Sequence, residues 1–291
     1  MENFIMSKRI LAIVVTYHPD KALLEKNISA FISSVEKVLV WENTPGGQKR
    51  QYRFGDNSKV EYCGDGINSI SHALNYAWRY AEKERYDYLL TMDQDSVFEN
   101  FSFFLENTIF NDKAPQGIWI PLAVTGENKP TFREKRQDIK EVFFGNTSGM
   151  LLKISVIDRI GGWNEAFAVD GVDCEFCFHA SRVGLKIYAF LNVFLYHQLG
   201  EYKKVKFLNK FIELRNYSPV RYYAIYKSHV LLMRLFPEQK EFLNTCRYYW
   251  GGMIKWIFIF ENYRFRKLYY IVKGIAEGCL TPLARVKRIN Q

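Results

Sequence analysis

The alternation of short apolar segments with amphipathic ones in the first half of the chain most constrains its fold. Residues 10–16, 35–41 and 86–92 have the apolar, β-branched composition of buried strands. Between them, residues 23–34 and 69–83 carry apolar side chains at helical spacing. Strands that alternate with helices predict a parallel sheet with crossover helices, which is an α/β fold.

The third apolar segment ends abruptly in the acidic sequence Asp93-Gln94-Asp95-Ser96. In open α/β sheets, ligands bind at the carboxyl ends of the strands. In an extended chain Asp93 and Asp95 point to the same side, where both can face one divalent cation and its diphosphate ligand. The alternative is that the two carboxylates cap the next helix or solvate a turn. The strongly apolar segment before them favours the ligand site.

A second region begins near residue 201, where Lys and Arg alternate with Tyr, Phe and Leu at helical spacing. We therefore predict a catalytic α/β domain over residues 1–200 and a basic, aromatic, helical region over residues 201–291. Basic residues attract anionic lipid and aromatic rings settle at its interface, so peripheral contact with the inner face of the cell membrane is one expectation. The alternative is that these helices pack against the catalytic domain or a second subunit, as in a homodimer.

Composition excludes several other classes of protein. The net charge of +9 indicates an anionic partner, but no nucleic-acid recognition module is recognisable, so nucleic acid is not an expected partner. Five cysteines, an odd number, argue against a disulfide framework and for a cytoplasmic location. Cys174 and Cys177 have the spacing of a zinc pair, yet no second pair is near in sequence, and ordinary core packing is favoured.

Several motifs, taken in order, resemble the family-2 glycosyltransferases, in particular their rhamnosyltransferase-like members, over roughly residues 9–200. They are residues 12–19 (AIVVTYHP), 90–96 (LTMDQDS), 147–150 (TSGM), 160–165 (IGGWNE) and 167–177 (FAVDGVDCEFC). The resemblance implies a GT-A-type nucleotide-diphospho-sugar transferase fold, with a mixed, mostly parallel central sheet. It also implies an inverting transfer of a sugar from a nucleoside diphosphate donor to a glycan or lipid-linked acceptor.

The same resemblance implies a site for Mg²⁺ or Mn²⁺. Asp93, Asp95 and His197 are its expected metal ligands, and Asp93 is also expected to contact the donor's ribose. His197 follows an apolar stretch at residues 187–196, and its alternative role is that of a structural hydrogen-bonding residue.

Three acidic residues are the candidates for the base that activates the acceptor hydroxyl. Asp173 matches the position of the family's general base, and Glu175 is the acidic neighbour that positions the acceptor or raises the pKa of the base. Asp170 is the competing candidate. Asp170 and Asp173 could instead be N-cap residues of a helix running to about residue 183.

Substrate contacts follow from the resemblance in the same way. The donor-binding candidates are Thr16, Tyr17, Pro19, Glu42, Asn43, Asn75 and Asp93. The acceptor-binding candidates are Ser148, Gly149, Gly162 and Trp163. The chain departs from the family pattern at Glu42, Ile67, Ser69 and His179, and no substrate detail is carried over at these positions.

The resemblance favours dTDP-rhamnose as donor, with UDP-sugars next, and an acceptor from bacterial surface polysaccharide such as capsule or O-antigen. The alternative is an inactive homologue that binds sugar nucleotide or glycan as a partner subunit. A nucleotidyltransferase is disfavoured, because the chain lacks an early glycine-rich, arginine-containing loop for a triphosphate.

Overall fold

The structure, a computed structural model, describes residues 8–46, 58–125, 138–197, 203–207 and 210–288. Its strands are β1 (Ile10–Thr16), β2 (Lys37–Glu42), β3 (Val60–Cys63), β4 (Tyr88–Asp93), β5 (Ser96–Phe98), β6 (Ile118–Val124), β7 (Ile139–Val142), β8 (Met150–Lys153), β9 (Ile187–His197), β10 (Lys203–Phe207) and β11 (Lys210–Leu214). Its α-helices are α1 (Lys21–Ser29), α2 (Ile70–Lys83), α3 (Phe101–Asn107), α4 (Ile154–Ile160), α5 (Val172–Arg182), α6 (Pro219–Leu235), α7 (Lys240–Phe260) and α8 (Arg264–Leu280).

Strands β1 to β9 form one mixed sheet. Its order is β3-β2-β1-β4-β8-β6-β9-β5, and β7 also pairs with β9. Strands β3, β2, β1 and β4 are mutually parallel, and β6 is parallel to β9. Strand β8 is antiparallel to both β4 and β6. The predicted mixed, mostly parallel sheet is confirmed.

Burial on both faces explains why the first predicted strand is almost entirely apolar. All seven residues of β1 are buried. One face of the strand packs in a cluster with Leu24 and Ile28 of α1. A parallel sheet covered by helices on both faces requires such continuous apolar strands, because neither face meets water. Strand β1 therefore lies in the interior of the sheet, between β2 and β4.

Helix α1 is shorter than predicted. Helix α1 ends at Ser29 instead of continuing to residue 34, and Ile32–Ser34 forms a separate 3-10 turn. The turn buries Phe31 completely, with its ring 6.0 Å from that of Phe101. Helix α3 ends at Asn107, where the Thr108 hydroxyl donates to the Phe104 carbonyl at 2.6 Å. Side-chain burial and local hydrogen bonding thus override the helical spacing.

The chain divides into two compact units. One comprises residues 1–168 and 172–198, and the other comprises residues 169–171 and 199–291. In the second unit, β10 and β11 form an antiparallel hairpin where helical spacing was predicted from residue 203 onward. The alternation of lysine and apolar residues at positions 204–207 has a period of two, which suits a strand better than a helix.

A buried ion pair holds the helical part of the second unit together. Lys267 Nζ lies 2.7 Å from Glu261 Oε2, and both side chains are almost fully buried. Tyr222 donates its hydroxyl to Glu261 at 2.9 Å, and Lys267 also donates to Asn216 Oδ1 at 2.8 Å. Because each charge has several partners, burying the pair is tolerated. Sequence patterns gave no indication of this network.

A pair of glycines follows α4 and turns the chain toward α5. Gly161 and Gly162 both have positive φ, 82° and 76°. A Cβ atom on Gly161 would meet no other atom within 4 Å. A Cβ atom on Gly162 would lie 2.6 Å from Asn75 Oδ1 and would also collide with the Trp78 ring. The two positions therefore share a backbone requirement but differ in available space.

This difference can be measured by substituting each glycine with alanine. Gly161→Ala should lower the free energy of unfolding by about 1 kcal/mol, the usual cost of positive φ. Gly162→Ala should cost about 2–4 kcal/mol, because steric overlap adds to that strain. Urea denaturation of both variants would measure the two changes, and equal losses would contradict the packing described.

Candidate active site

Three potential metal ligands meet at the carboxyl edge of the sheet. Asp93 is the last residue of β4, Asp95 lies in the turn before β5, and His197 is the last residue of β9. The antiparallel register of β5 and β9 pairs Ser96 with His197, which brings the histidine to the acidic turn. One ligand atom from each of the three residues lies within 4.8 Å of the others. The structure thus brings together the predicted metal ligands.

The electrostatics of this cluster favour a bound cation. Burial raises the pKa of Asp93, and the negative charge of Asp95 raises it further, while His197 opposes the shift. Burial likewise raises the pKa of Asp95. His197 Nδ1 lies 2.8 Å from Ser96 Oγ and 3.4 Å from Asp95 Oδ1. Carboxylate oxygens with an imidazole nitrogen suit Mn²⁺, and the carboxylates alone suit Mg²⁺, so the donor set fits a divalent cation.

Two amide side chains that sequence reasoning missed fix the acidic turn. Gln94 accepts from the Tyr17 backbone N–H at 2.6 Å and donates to the Tyr17 carbonyl at 3.0 Å. This double hydrogen bond ties the turn to the loop after β1. The pairing of Val15 with Asp93 in adjacent strands brings the two loops together, and only the strand register could have indicated it.

The second amide is Asn27 of α1, which is fully buried. Its Nδ2 donates to the carbonyl oxygen of Asp93 at 2.6 Å and to that of Ser96. Its Oδ1 is buried without a hydrogen-bond partner among the residues described. The Asn27 amide therefore binds the backbone at both ends of the acidic turn. A polar residue on the apolar face of a predicted helix was the available indication of such a role.

The dipeptide Thr147-Ser148 connects this cluster to the candidate base. Ser148 Oγ accepts from the backbone N–H of Asp93 at 3.0 Å. Thr147 donates its backbone N–H to Asp173 Oδ1 at 3.1 Å, and its hydroxyl donates to the same oxygen. Thr91 of β4 in turn donates its hydroxyl to the Thr147 carbonyl. Consecutive residues thus contact the Asp93 backbone and the Asp173 carboxylate.

The other two acidic candidates have different surroundings. Glu175 is buried, and its Oε1 accepts from Asn164 Nδ2 at 3.2 Å. Glu175 therefore contacts the segment that follows Gly161 and Gly162. Asp170 belongs to the second compact unit, where it lies 3.7 Å from Arg221. Burial raises the pKa of Asp170, and the Arg221 charge opposes this. Helix α5 begins at Val172, so Asp173 lies in its first turn and is not its N-cap.

The loops after β1 and β2, predicted to bind the donor, lie side by side. The Asn43 backbone N–H donates to the Thr16 carbonyl at 2.8 Å. However, the Thr16 hydroxyl donates to the Trp41 carbonyl, and Asn43 Oδ1 accepts from the Trp41 indole. Glu42 accepts from the backbone N–H of Thr44 at 2.9 Å. These hydrogen bonds support the loops, and contact of Thr16, Glu42 and Asn43 with the donor stays a prediction.

In the loop after β1, Tyr17 and Pro19 differ in their exposure to solvent. The Tyr17 side chain is 47% exposed, whereas Pro19 is buried. Of the donor candidates on these loops, Tyr17 is the one whose ring is open to solvent.

Asn75, a further donor candidate, is hydrogen-bonded within the protein. Its Nδ2 donates to the Trp163 carbonyl at 2.8 Å and to Glu165 at 2.9 Å, and its Oδ1 accepts from the Trp163 N–H at 2.8 Å. Both the nitrogen and the oxygen of the Asn75 amide thus bind the segment that follows Gly161 and Gly162. Contact of Asn75 with the donor stays a prediction.

The acceptor candidates are mostly internal. Trp163 is buried and stacks on Phe176, with ring centroids 4.7 Å apart. Ser148 is buried against Asp93, and a Cβ atom on Gly149 would lie 2.7 Å from Pro121 Cγ. Gly162 precedes Trp163 and lies against the Trp78 ring. Contact of these four residues with an acceptor stays a prediction.

Comparison with characterised proteins identifies similar glycosyltransferases. The chain is 26% identical over 249 residues to the dTDP-rhamnosyl transferase RfbF of Shigella flexneri, covering 79% of this chain and 81% of that protein. It is 26% identical over 196 residues to the low-salt glycan biosynthesis hexosyltransferase Agl10 of Haloferax volcanii, covering 60% and 62%. No protein-family model matches the chain.

Solved structures show the same fold. GalNAc-T7, crystallised with UDP, GalNAc and Mn²⁺, superposes with a TM-score of 0.57 at 9% identity, covering 78% of this chain but only 48% of its own. Residues 1–349 of S. aureus TarS, in complex with UDP-GlcNAc, superpose with a TM-score of 0.55 at 14% identity, covering 96% and 82%. The predicted GT-A fold is confirmed, as is the resemblance to rhamnosyltransferase-like glycosyltransferases.

The role of Asn27 can be tested through metal affinity. In Asn27→Leu, the carbonyls of Asp93 and Ser96 lose their common donor, so the acidic turn loosens. Mn²⁺ binding, measured by isothermal titration, should weaken at least about tenfold, as is usual when residues that orient metal ligands are lost.

A buried asparagine elsewhere provides the matched control. Asn107 donates to the Phe103 carbonyl at 2.7 Å within α3. Asn107→Leu should leave Mn²⁺ affinity unchanged. If both variants bind Mn²⁺ like the unsubstituted protein, Asn27 does not support the cluster.

Proposed function

We propose that this protein is an inverting, metal-dependent glycosyltransferase, which transfers a sugar from a nucleoside diphosphate donor to a hydroxyl group of a glycan or lipid-linked acceptor. One observation carries the proposal: Thr147 and Ser148 join the Asp173 carboxylate to the cluster of Asp93, Asp95 and His197. Sugar transfer needs a base for the acceptor and charge stabilisation for the departing diphosphate, and here both kinds of group are tied by hydrogen bonds to the neighbouring residues Thr147 and Ser148.

The cluster is the proposed cation and diphosphate site. Asp93, Asp95 and His197 would hold Mg²⁺ or Mn²⁺, which acts as a Lewis acid and balances the charge that develops on the leaving diphosphate. The proximity of the two half-buried carboxylates, which raises the pKa of Asp93, supports this assignment. Gln94 and Asn27 fix the turn, so the ligands need little rearrangement on binding.

Asp173 is the proposed general base. As the acceptor oxygen forms its bond to the anomeric carbon, Asp173 takes the hydroxyl proton, and the bond between that carbon and the diphosphate oxygen breaks. The electron pair of that bond leaves with the nucleoside diphosphate. Thr147 holds one carboxylate oxygen through two donors, which orients Asp173 for this step. A single displacement of this kind inverts the anomeric configuration.

Asp170 is the weaker candidate for the base. Its neighbour at 3.7 Å is Arg221, and it belongs to the second unit, whereas Asp173 is bonded to the segment that supports Asp93. In this proposal residues 1–200 form the catalytic domain, and residues 201–291 form an accessory region.

The proposed donor is dTDP-rhamnose. The support is the similarity to a protein named dTDP-rhamnosyl transferase, which extends over 79% of this chain. A UDP-sugar is the second candidate, because TarS, of the same fold, is solved with UDP-GlcNAc. The acceptor class proposed is an intermediate of bacterial surface polysaccharide synthesis.

The base assignment predicts a specific loss in Asp173→Asn. The rate of sugar transfer should fall at least about a hundredfold, the usual contribution of a general base. Metal-dependent binding of the nucleoside diphosphate should persist, because the cluster is intact. Steady-state kinetics and isothermal titration would measure the two quantities.

Asp112→Asn, at an exposed position outside the cluster, is the control and should retain full turnover. Unchanged turnover in Asp173→Asn would remove Asp173 as base. If the unsubstituted protein binds nucleoside diphosphate sugars with metal but turns over none, the protein is instead an inactive binding homologue.

The donor assignment predicts which sugar nucleotide is consumed. In a panel of nucleoside diphosphate sugars, metal-dependent hydrolysis should be fastest with dTDP-rhamnose. Asp95→Asn should abolish the hydrolysis that Mn²⁺ supports. A clear preference for a UDP-sugar would contradict the rhamnose assignment, and no response to any donor with either metal would contradict sugar transfer itself.

A further inference from the structure

The charges of the chain are strongly segregated. Residues 201–291 contain 18 Lys and Arg but six Asp and Glu, a net charge of +12. Residues 1–200 contain 22 Lys and Arg and 25 Asp and Glu, a net charge of −3. The positive charge of the whole protein therefore lies in its second region, outside the proposed catalytic residues.

Helix α8 of that region carries an apolar stripe that no described residue covers. Phe265, Tyr269, Val272 and Leu280 recur at helical spacing, and each is between 64% and 80% exposed. The opposite side of α8 is buried, at residues such as Ile271. An amphipathic helix normally turns its apolar stripe inward. Helix α8 instead has a second apolar stripe on its outer face.

The end of α7 extends the stripe. The Arg264 guanidinium lies 5.6 Å from the centre of the Phe258 ring and 5.5 Å from that of Phe265. Phe258 is 51% exposed, and Tyr263, in the connection between the two helices, is 77% exposed. We call these aromatic and apolar residues, with Arg264, the α7–α8 surface.

Basic residues border the α7–α8 surface. Arg266 and Lys273 each follow a stripe residue by one position and lie seven residues apart, so both lie on the same flank of α8. Arg266 is exposed, and the Lys273 side chain is 48% exposed. Aromatic rings interleaved with basic side chains on an exposed helix are typical of segments that lie in the interface of an anionic membrane.

We infer that the α7–α8 surface binds the protein peripherally to an anionic lipid bilayer. Charge decides between this partner and a second copy of the chain, because two copies of a region with a net charge of +12 repel each other, whereas anionic head groups attract it. In the part of the chain that the structure describes, no helix has the length and apolar character needed to cross a bilayer. Binding is therefore by partial insertion of side chains. The inference does not depend on the proposed sugar transfer.

Sedimentation of the full-length protein with lipid vesicles tests the inference. The protein should bind vesicles in which about a third of the phosphatidylcholine is replaced by phosphatidylglycerol, and should bind pure phosphatidylcholine vesicles weakly. Raising the salt concentration should release it. The double variant Phe265→Ser and Tyr269→Ser should lose at least about tenfold in partition, because both rings leave the interface.

Phe110 provides the matched control, since it is 61% exposed and lies in the other unit. Phe110→Ser should bind anionic vesicles like the unsubstituted protein. Failure of the full-length protein to bind them, or equal binding by the double variant, would overturn the inference. So would a dimer, seen by analytical ultracentrifugation without lipid, that the double variant dissociates.

Hydrolysis of the sugar donor, measured in solution without lipid, tests the proposed function independently of vesicle binding. The double variant should hydrolyse donor at the unsubstituted rate, because neither substitution touches the cluster. Loss of vesicle binding with hydrolysis retained is the expected pattern.

Discussion

The repulsion between two carboxylates at the edge of the sheet is the constraint around which the proposed site is built. Asp93 and Asp95 are held close together in a partly buried turn, where burial and mutual repulsion raise the pKa of Asp93. The turn keeps this geometry because neighbouring segments bind its backbone: Asn27 holds two of its carbonyls, and Ser148 accepts its N–H. Two like charges fixed in this way are what the proposed cation site requires.

The mixed sheet explains how a second acidic group comes near that turn. Strand β8 runs antiparallel to β4, so the segment that enters β8 lies beside the carboxyl end of β4. That segment contains Thr147 and Ser148, and Thr147 binds Asp173 in the first turn of α5. The one antiparallel strand in the middle of the sheet thus connects the end of β4 to the start of α5. Without it, the candidate base and the candidate metal ligands would have no common support.

Sequence patterns predicted the parts of the fold that depend on local spacing. Strand β1 was predicted from its continuous apolar run and helix α2 from its helical spacing, and the acidic turn was found because it follows an apolar strand. Contacts between distant segments were not predictable in this way. Asn27 and Gln94 bind backbone groups that only the pairing of distant strands brings near them. The Asn75 amide binds the carbonyl of Trp163, 88 residues away. The hairpin of β10 and β11 was missed because its basic residues resembled those of the helices that follow.

The most direct test of the central claim is to locate the cation. Crystals grown with Mn²⁺ and a nucleoside diphosphate would show it by anomalous scattering at the manganese edge. The account predicts one strong peak between the Asp93 and Asp95 carboxylates and the His197 imidazole, with the diphosphate oxygens completing its coordination. Diphosphate bound with no manganese peak at these three side chains, or a peak at other residues, would contradict it.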